Sequence, residues 1–162
     1  MLGYRLALLT AAIAQAALLA SSFALHWLDD PVGQLEGWCD RLAPGGWLLL
    51  AVPTAGSFPQ WRQAAAAAAV PCTALDLPQA AALLAAIGDR GLLPHRQALL
   101  RFSQAGADGL ASLRQLKAMG AGTSRQPPLT PGQWRRLGTH WPSPGGLSWE
   151  VLLVLARRPP CA

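Results

Sequence analysis

The chain has 162 residues, 52% hydrophobic and only 13% charged, with a formal net charge of +5. That is one domain's length, enough for a real core, and an apolar composition for a soluble protein. Cys39, Cys72 and Cys161 are widely spaced, without a C-x-x-C or His-paired pattern. They read as free thiols of a reducing cytoplasm, which excludes a disulfide framework and leaves no expected metal site. Charge is split along the chain: residues 1–89 carry a net −3 and residues 90–162 a net +8. A basic half attracts a polyanion or an acidic protein. No Lys/Arg block or nucleic-acid motif accompanies it, so nucleic acid is not expected as a partner.

From Leu6 to Leu28 no side chain is charged with His26 neutral, and Arg5 stands before the run. By length this passes for a membrane span or a signal peptide. Its Ala, Ser, Thr and Gln content makes insertion weak. Leu18–Ser22 alternatively fits a buried parallel strand, which is also continuously apolar. The strand is the preferred reading, with no membrane partner and a cytoplasmic location; an N-terminal span is the alternative. Asp30-Pro31 then predicts a helix start, an N-cap followed by a first-position proline. Val32, Leu35, Trp38 and Leu42 recur at helical spacing to about Leu42. Ala43-Pro44-Gly45-Gly46 should stop that helix and turn the chain. Trp47–Val52 is an all-apolar run of strand length, expected to be central and covered on both faces.

A second helix is predicted from about Phe58 through the six alanines Ala64–Ala69 to Val70, stopped by Pro71. A third runs from Leu77 to Ile87, with Gly88 at its end. Gln97–Ser103 reads as a strand. Asp108 caps a helix carrying Leu110, Leu113, Leu116 and Met119, ended by Gly120. Thr130-Pro131-Gly132-Gln133 combines an N-cap, a first-position proline and a capping-box glutamine ahead of Trp134, Leu137 and Trp141. Trp149–Ala156 is a last apolar strand. Strands alternating with helices indicate an α/β fold.

Two stretches carry a family likeness. Ser21–Pro53, SSFALHWLDDPVGQLEGWCDRLAPGGWLLLAVP, resembles the second half of a class I S-adenosylmethionine-dependent methyltransferase. LASLRQLKAMGAGTSRQPPLTPGQWRRL, a Trp-Pro loop and SWEVLLVLARRP resemble the malonyl-acyl-carrier-protein O-methyltransferase of biotin synthesis, in which a Leu-Lys-x-x-Gly-Ala helix end precedes a Leu-Thr-x-x-Gln helix. AVPTAGSFPQWRQA is similar to that family's loop after the central strand. The likeness runs from about Leu18 to Pro159. It implies the C-terminal half of a Rossmann-like class I methyltransferase fold, a mostly parallel sheet with an antiparallel terminal strand. Residues 17–159 would be a partial methyltransferase domain, 1–16 a degenerate or unrelated apolar leader, and 160–162 a tail.

The implied reaction is methyl transfer from S-adenosylmethionine to the free carboxylate of a malonyl thioester on acyl-carrier protein. The carboxylate is already a nucleophile and the sulfonium methyl already an electrophile, so alignment and exclusion of water suffice without a base. Class I enzymes hold the cofactor on a Gly-rich turn after the first strand and an acid after the second. No such turn precedes Ser21, and Ala17 stands where the family has an aspartate. The cofactor half is therefore expected to be missing, and the chain as given is not expected to bind S-adenosylmethionine measurably. The strand at Leu18–Ser22 should then show an open apolar edge that self-associates. The resemblance places Ser21, Ser22, Phe23, His26 and Trp27 beside the cofactor, with His26 the catalytic candidate. It places Thr54 and Ser57 near substrate, and Arg114, Lys117, Arg125, Arg135 and Arg136, with Arg101, on a face for acyl-carrier protein. A catalytically inactive protein-binding module is the alternative.

Overall fold

Leu42–Pro53 is the spine of a four-stranded sheet. A computed structural model describes residues 15–105, 108, 109, 111, 114, 126–142 and 145–160. The predicted leader up to residue 14, most of the helix predicted after Asp108, Lys117, Arg125 and Cys161 lie outside the described residues. The strands are β1 (Ala16–Ser22), β2 (Leu42–Pro53), β3 (Leu93–Ala105) and β4 (Gly146–Arg157), in the order β1-β2-β4-β3. β1 and β2 are parallel, and β4 is antiparallel to both β2 and β3. Three strands therefore point one way and β4 runs against them, as the resemblance implies. The helices are α1 (Pro31–Asp40), α2 (Pro59–Ala67), α3 (Ala80–Asp89) and α4 (Pro131–Thr139).

The ladder Leu18↔Trp47 to Ser22↔Ala51 makes Ala16–Ser22 a strand, so Leu6–Leu28 is not one helical span. Among the described residues no helix is long and apolar enough to cross a membrane.

Local signals set most helix ends. The Asp30 carboxylate accepts from the Gly33 N–H at 2.9 Å, filling one open donor of α1. In α4 the reciprocal capping box forms: Gln133 N donates to Thr130 Oγ1 at 3.3 Å and Thr130 N to Gln133 Oε1 at 2.8 Å. α2 stops at Ala67 rather than Val70. Ala69 is left-handed (φ 48°), Val70 N donates to Ala65 O and Ala69 N to Ala66 O, and Val70 is buried. This is a Schellman closure in which burial of the following valine offsets an alanine in a conformation that favours glycine. α3 begins at Ala80, later than Leu77, because a residue ahead of proline is pushed out of the helical region.

The Pro-Gly-Gly segment corrects another expectation. Ala43–Gly46 does not separate helix from strand; it lies inside β2 as a bulge. Between Ala16↔Leu42 and Leu18↔Trp47, two steps along β1 match five along β2. Gly45 has φ 77°, and a Cβ on Gly46 would sit 2.8 Å from Ala43 O and 2.9 Å from Ala16 O, so neither position admits a side chain without strain.

Burial differs between the two faces of the sheet. Leu48, Leu50 and Val52 of β2 and Leu152, Val154 and Ala156 of β4 share one face with Leu25, Leu35, Cys39, Leu83 and Ile87 beneath α1 and α3. Arg90 ties these helices together, bonding Glu36 at 2.7 Å and Asp40 at 3.0 Å. Among the described elements the opposite face is covered at one end, where Trp61, Ala64, Ala65, Leu137 and Leu147 cluster beneath α2 and α4. Along the rest of it Leu18 is 59% and Leu49 49% exposed. The expectations of a buried β1 and a two-sided cover for Trp47–Val52 are therefore corrected. β1 and β3 are the edges, and most of β3 is exposed.

Candidate functional site

The carboxyl ends of β1 and β2 lie side by side, because the two strands are parallel and paired as far as Ser22↔Ala51. In open α/β sheets ligands bind at such ends. Beyond β1 the chain turns at Phe23, left-handed with φ 52°, whose N–H donates to Ala51 O at 2.9 Å. A 3-10 turn, Leu25–Trp27, follows, pinned by the fully buried Leu25. This brings Phe23, His26 and Trp27 together, with ring centroids 6.4 Å (Phe23–His26) and 4.7 Å (His26–Trp27) apart.

These three form one wall of a cavity of about 620 Å³. Pro53, Phe58 and Trp61 form the next, Leu75 and Leu77 a third, and Leu100, Phe102, Trp149, Val151 and Leu153 of β3 and β4 the floor. Phe58 is left-handed (φ 58°) and meets Trp149 edge-on at 5.9 Å. Among the described residues, thirteen side chains line the cavity, all apolar or aromatic except the imidazole of His26, and none of these is acidic. His26 is 8% exposed, its Nδ1 has no hydrogen-bond partner, and burial holds its pKa below the ordinary value. The Trp61 Nε1–H is buried and unpartnered too. A neutral ring in an apolar cleft is a poor home for a metal, and no cluster of metal-ligating groups exists among the described residues.

The structure separates the sequence-predicted site residues. Phe23, His26 and Trp27 line the cleft. Ser21 and Ser22 line a second groove, with Leu49, Arg96 and Leu155. Thr54 and Ser57 lie beneath the cleft rather than on its wall: both are fully buried and bonded to Glu150. Arg114, Arg135 and Arg136 are exposed. Arg101 is exposed as well and pairs with Glu150, its Nη2 3.1 Å from Oε2. Glu150, Trp61 and Phe102 escaped the sequence reading, whereas Phe58 ends the Pro53–Phe58 loop read as able to touch substrate. Glu150 did carry a signal, a lone acid inside the apolar run SWEVLLVLA, because a charge at a strand position is rarely buried without partners.

No protein-family model matches the chain. The fold is similar to that of a Bacillus halodurans C-125 protein assigned to the methyltransferases. The TM-score is 0.58 at 12% identity, covering 90% of this chain and 70% of that one. By fold, then, this is a domain with the Rossmann-like fold of class I methyltransferases. In sequence the chain is 35% identical over 120 residues to the biotin biosynthesis bifunctional protein BioCD of Bordetella avium (strain 197N). That match takes in 73% of this chain and 25% of the relative, so the chain spans about a quarter of the length of the curated protein it matches. Within the class, its sequence relation is therefore to a protein of biotin biosynthesis.

Proposed function

We propose that the chain serves methyl transfer from S-adenosylmethionine to the free carboxylate of a malonyl-acyl-carrier-protein thioester, and that it contributes the acceptor side of that reaction. Its sequence relation to BioCD supports the pathway, and its fold supports the reaction class. The observation that carries the acceptor side is the acid-free, aromatic cleft at the carboxyl ends of β1 and β2. Such a lining suits an apolar chain and excludes water from a reacting carboxylate. It does not suit the cofactor's ribose, whose hydroxyls call for a carboxylate. The described residues thus do not form a cofactor cradle, and no step is assigned to them through it. Their part is to hold the acyl portion, with His26 neutral on the wall. Arg135 and Arg136 stand exposed on α4, the helix that packs Leu137 against the same cluster as Trp61. They form a basic face for the acidic carrier protein, with Arg114 as a further member.

The test is calorimetry with two ligands. Malonyl-acyl-carrier protein should bind, and Arg135→Glu with Arg136→Glu should weaken it about tenfold, about 1.4 kcal/mol. S-adenosylmethionine alone should give no measurable heat. Absence of carrier-protein binding would remove the acceptor reading, and micromolar cofactor affinity would remove the claim that the cradle lies elsewhere.

A second reading, a catalytically inactive protein-binding module, draws on β1, which is an edge strand among the described residues, beside the exposed Leu18 and Leu49. An open apolar edge is a template for another chain.

A further inference from the structure

Glu150 sits in the middle of β4 and is only 7% exposed. A buried carboxylate is costly unless its acceptor positions are filled. Here they are shared between one turn and the neighbouring strand. Thr54 Oγ1 donates to Oε1 at 2.7 Å, and Gly56 lies directly against the carboxylate. Arg101 completes the set from the neighbouring strand, with Nε and Nη2 at 3.2 and 3.1 Å from Oε2. The main chain of Glu150 grips the same turn. Its carbonyl accepts from Thr54 N at 2.9 Å and from Ser57 Oγ at 3.0 Å, and its N–H donates to Ser57 Oγ at 3.0 Å. A methyl group on Gly56 would overlap the carboxylate.

The strand itself has no use for this charge, since a leucine would continue β4 equally well. What the carboxylate fixes is the residue that follows the turn. Phe58 is left-handed, a conformation that a bulky side chain adopts only when its surroundings impose it. Its N–H donates to Ser148 O at 2.8 Å, and its ring stands against Trp149 on the cleft wall. We propose that Glu150 is the positioning residue of the cleft: its buried carboxylate locks the turn from Thr54 to Ser57 onto β4, and so holds Phe58 in its left-handed place as a wall of the binding site. Because the cleft is read above as the acceptor site, Glu150 sets the fit of the acceptor's apolar part without touching it.

Binding of a neutral acyl-dimethylaminonaphthalene dye to the full chain tests this, and reads the cleft whether or not methyl transfer occurs. Glu150→Gln, folded by far-UV circular dichroism, should raise the dye's Kd at least fivefold at pH 7. The wild type should also lose affinity in acid as Glu150 protonates, a limb absent from the variant. The charged groups facing this network among the described residues are Arg101, on the carboxylate, and Arg62, on the Ser57 carbonyl. His26 titrates in both proteins and cancels in the difference. A Kd within twofold of wild type in the folded variant overturns the assignment. If the variant does not fold, the wild-type profile decides: affinity flat in acid, with circular dichroism unchanged, overturns it as well.

Discussion

The two faces of this sheet are built from the same kinds of residue and meet opposite fates. Leu48, Leu50 and Val52 lie under α1 and α3 and are excluded from water. Their neighbours one position away, Trp47, Leu49 and Ala51, look out over a surface that α2 and α4 cover only at the cleft end. Antiparallel sheets with one wet face normally alternate apolar and polar residues, whereas strands covered on both faces are continuously apolar. The strand sequence Trp47–Val52 is of the second kind and its surroundings are of the first. An apolar face of this extent marks a place where something else packs.

The largest expected effect breaks this comparison if it fails. Leu50→Ala or Leu152→Ala on the covered face should destabilise the fold by about 2–5 kcal/mol, through lost transfer energy and a cavity. Leu49→Ala should stay within about 0.5 kcal/mol, as for an ordinary surface site. Urea denaturation of the three variants measures the contrast; a Leu49 penalty equal to that of Leu50 would mean the second face is covered in solution. Thr130→Ala, removing the capping box at the α4 end of that face, should cost about 1 kcal/mol in the same assay.

Glu150 adds a pH dependence. The Thr54 hydroxyl first, then Arg101 and the Gly56 N–H, hold its carboxyl below the ordinary carboxylate value, against the opposing effect of burial. The unfolded state therefore binds the proton more readily. The stabilisation is present above the unfolded pKa and is lost as pH falls through the folded one. The stability gap between wild type and Glu150→Gln should narrow from pH 6 toward pH 3, as read by urea midpoints; a constant gap would mean another group carries the effect. The smallest expected change concerns the β1 edge. Leu18→Lys should leave stability nearly unaltered while shifting sedimentation toward monomer, because a lysine on an edge blocks strand addition. Self-association that survives the substitution would place the contact elsewhere.

Several elements were legible before any coordinates. The caps at Asp30 and Thr130, a single bond and a reciprocal pair, join residues three apart, so spacing alone specifies them. The parallel pairing of β1 with β2 followed from a strand–helix–strand pattern, since a crossover helix forces parallel neighbours. Of the site, Phe23, His26 and Trp27 were legible because they follow a strand at its carboxyl end. Thr54 and Ser57 were read in the turn they occupy, but their burial against Glu150 was not. Which way a hydroxyl points depends on a partner 96 residues away for Thr54 and 93 for Ser57, which no local pattern reveals.

What the sequence determined by itself is therefore the short-range part: helix starts, the strand–helix order, the apolar character of each strand and the likeness to a methyltransferase. Hydrogen bonds between near neighbours and the periodicity of side chains are written in consecutive residues. Only the tertiary structure decided which face of β2 is buried, that Pro44-Gly45-Gly46 bulges within a strand, and that Glu150 secures the cleft wall. Each of these depends on where a distant segment comes to rest. The apolar residues of one strand are equally suited to packing on either side, so burial is settled by the helices that arrive and not by the strand that receives them.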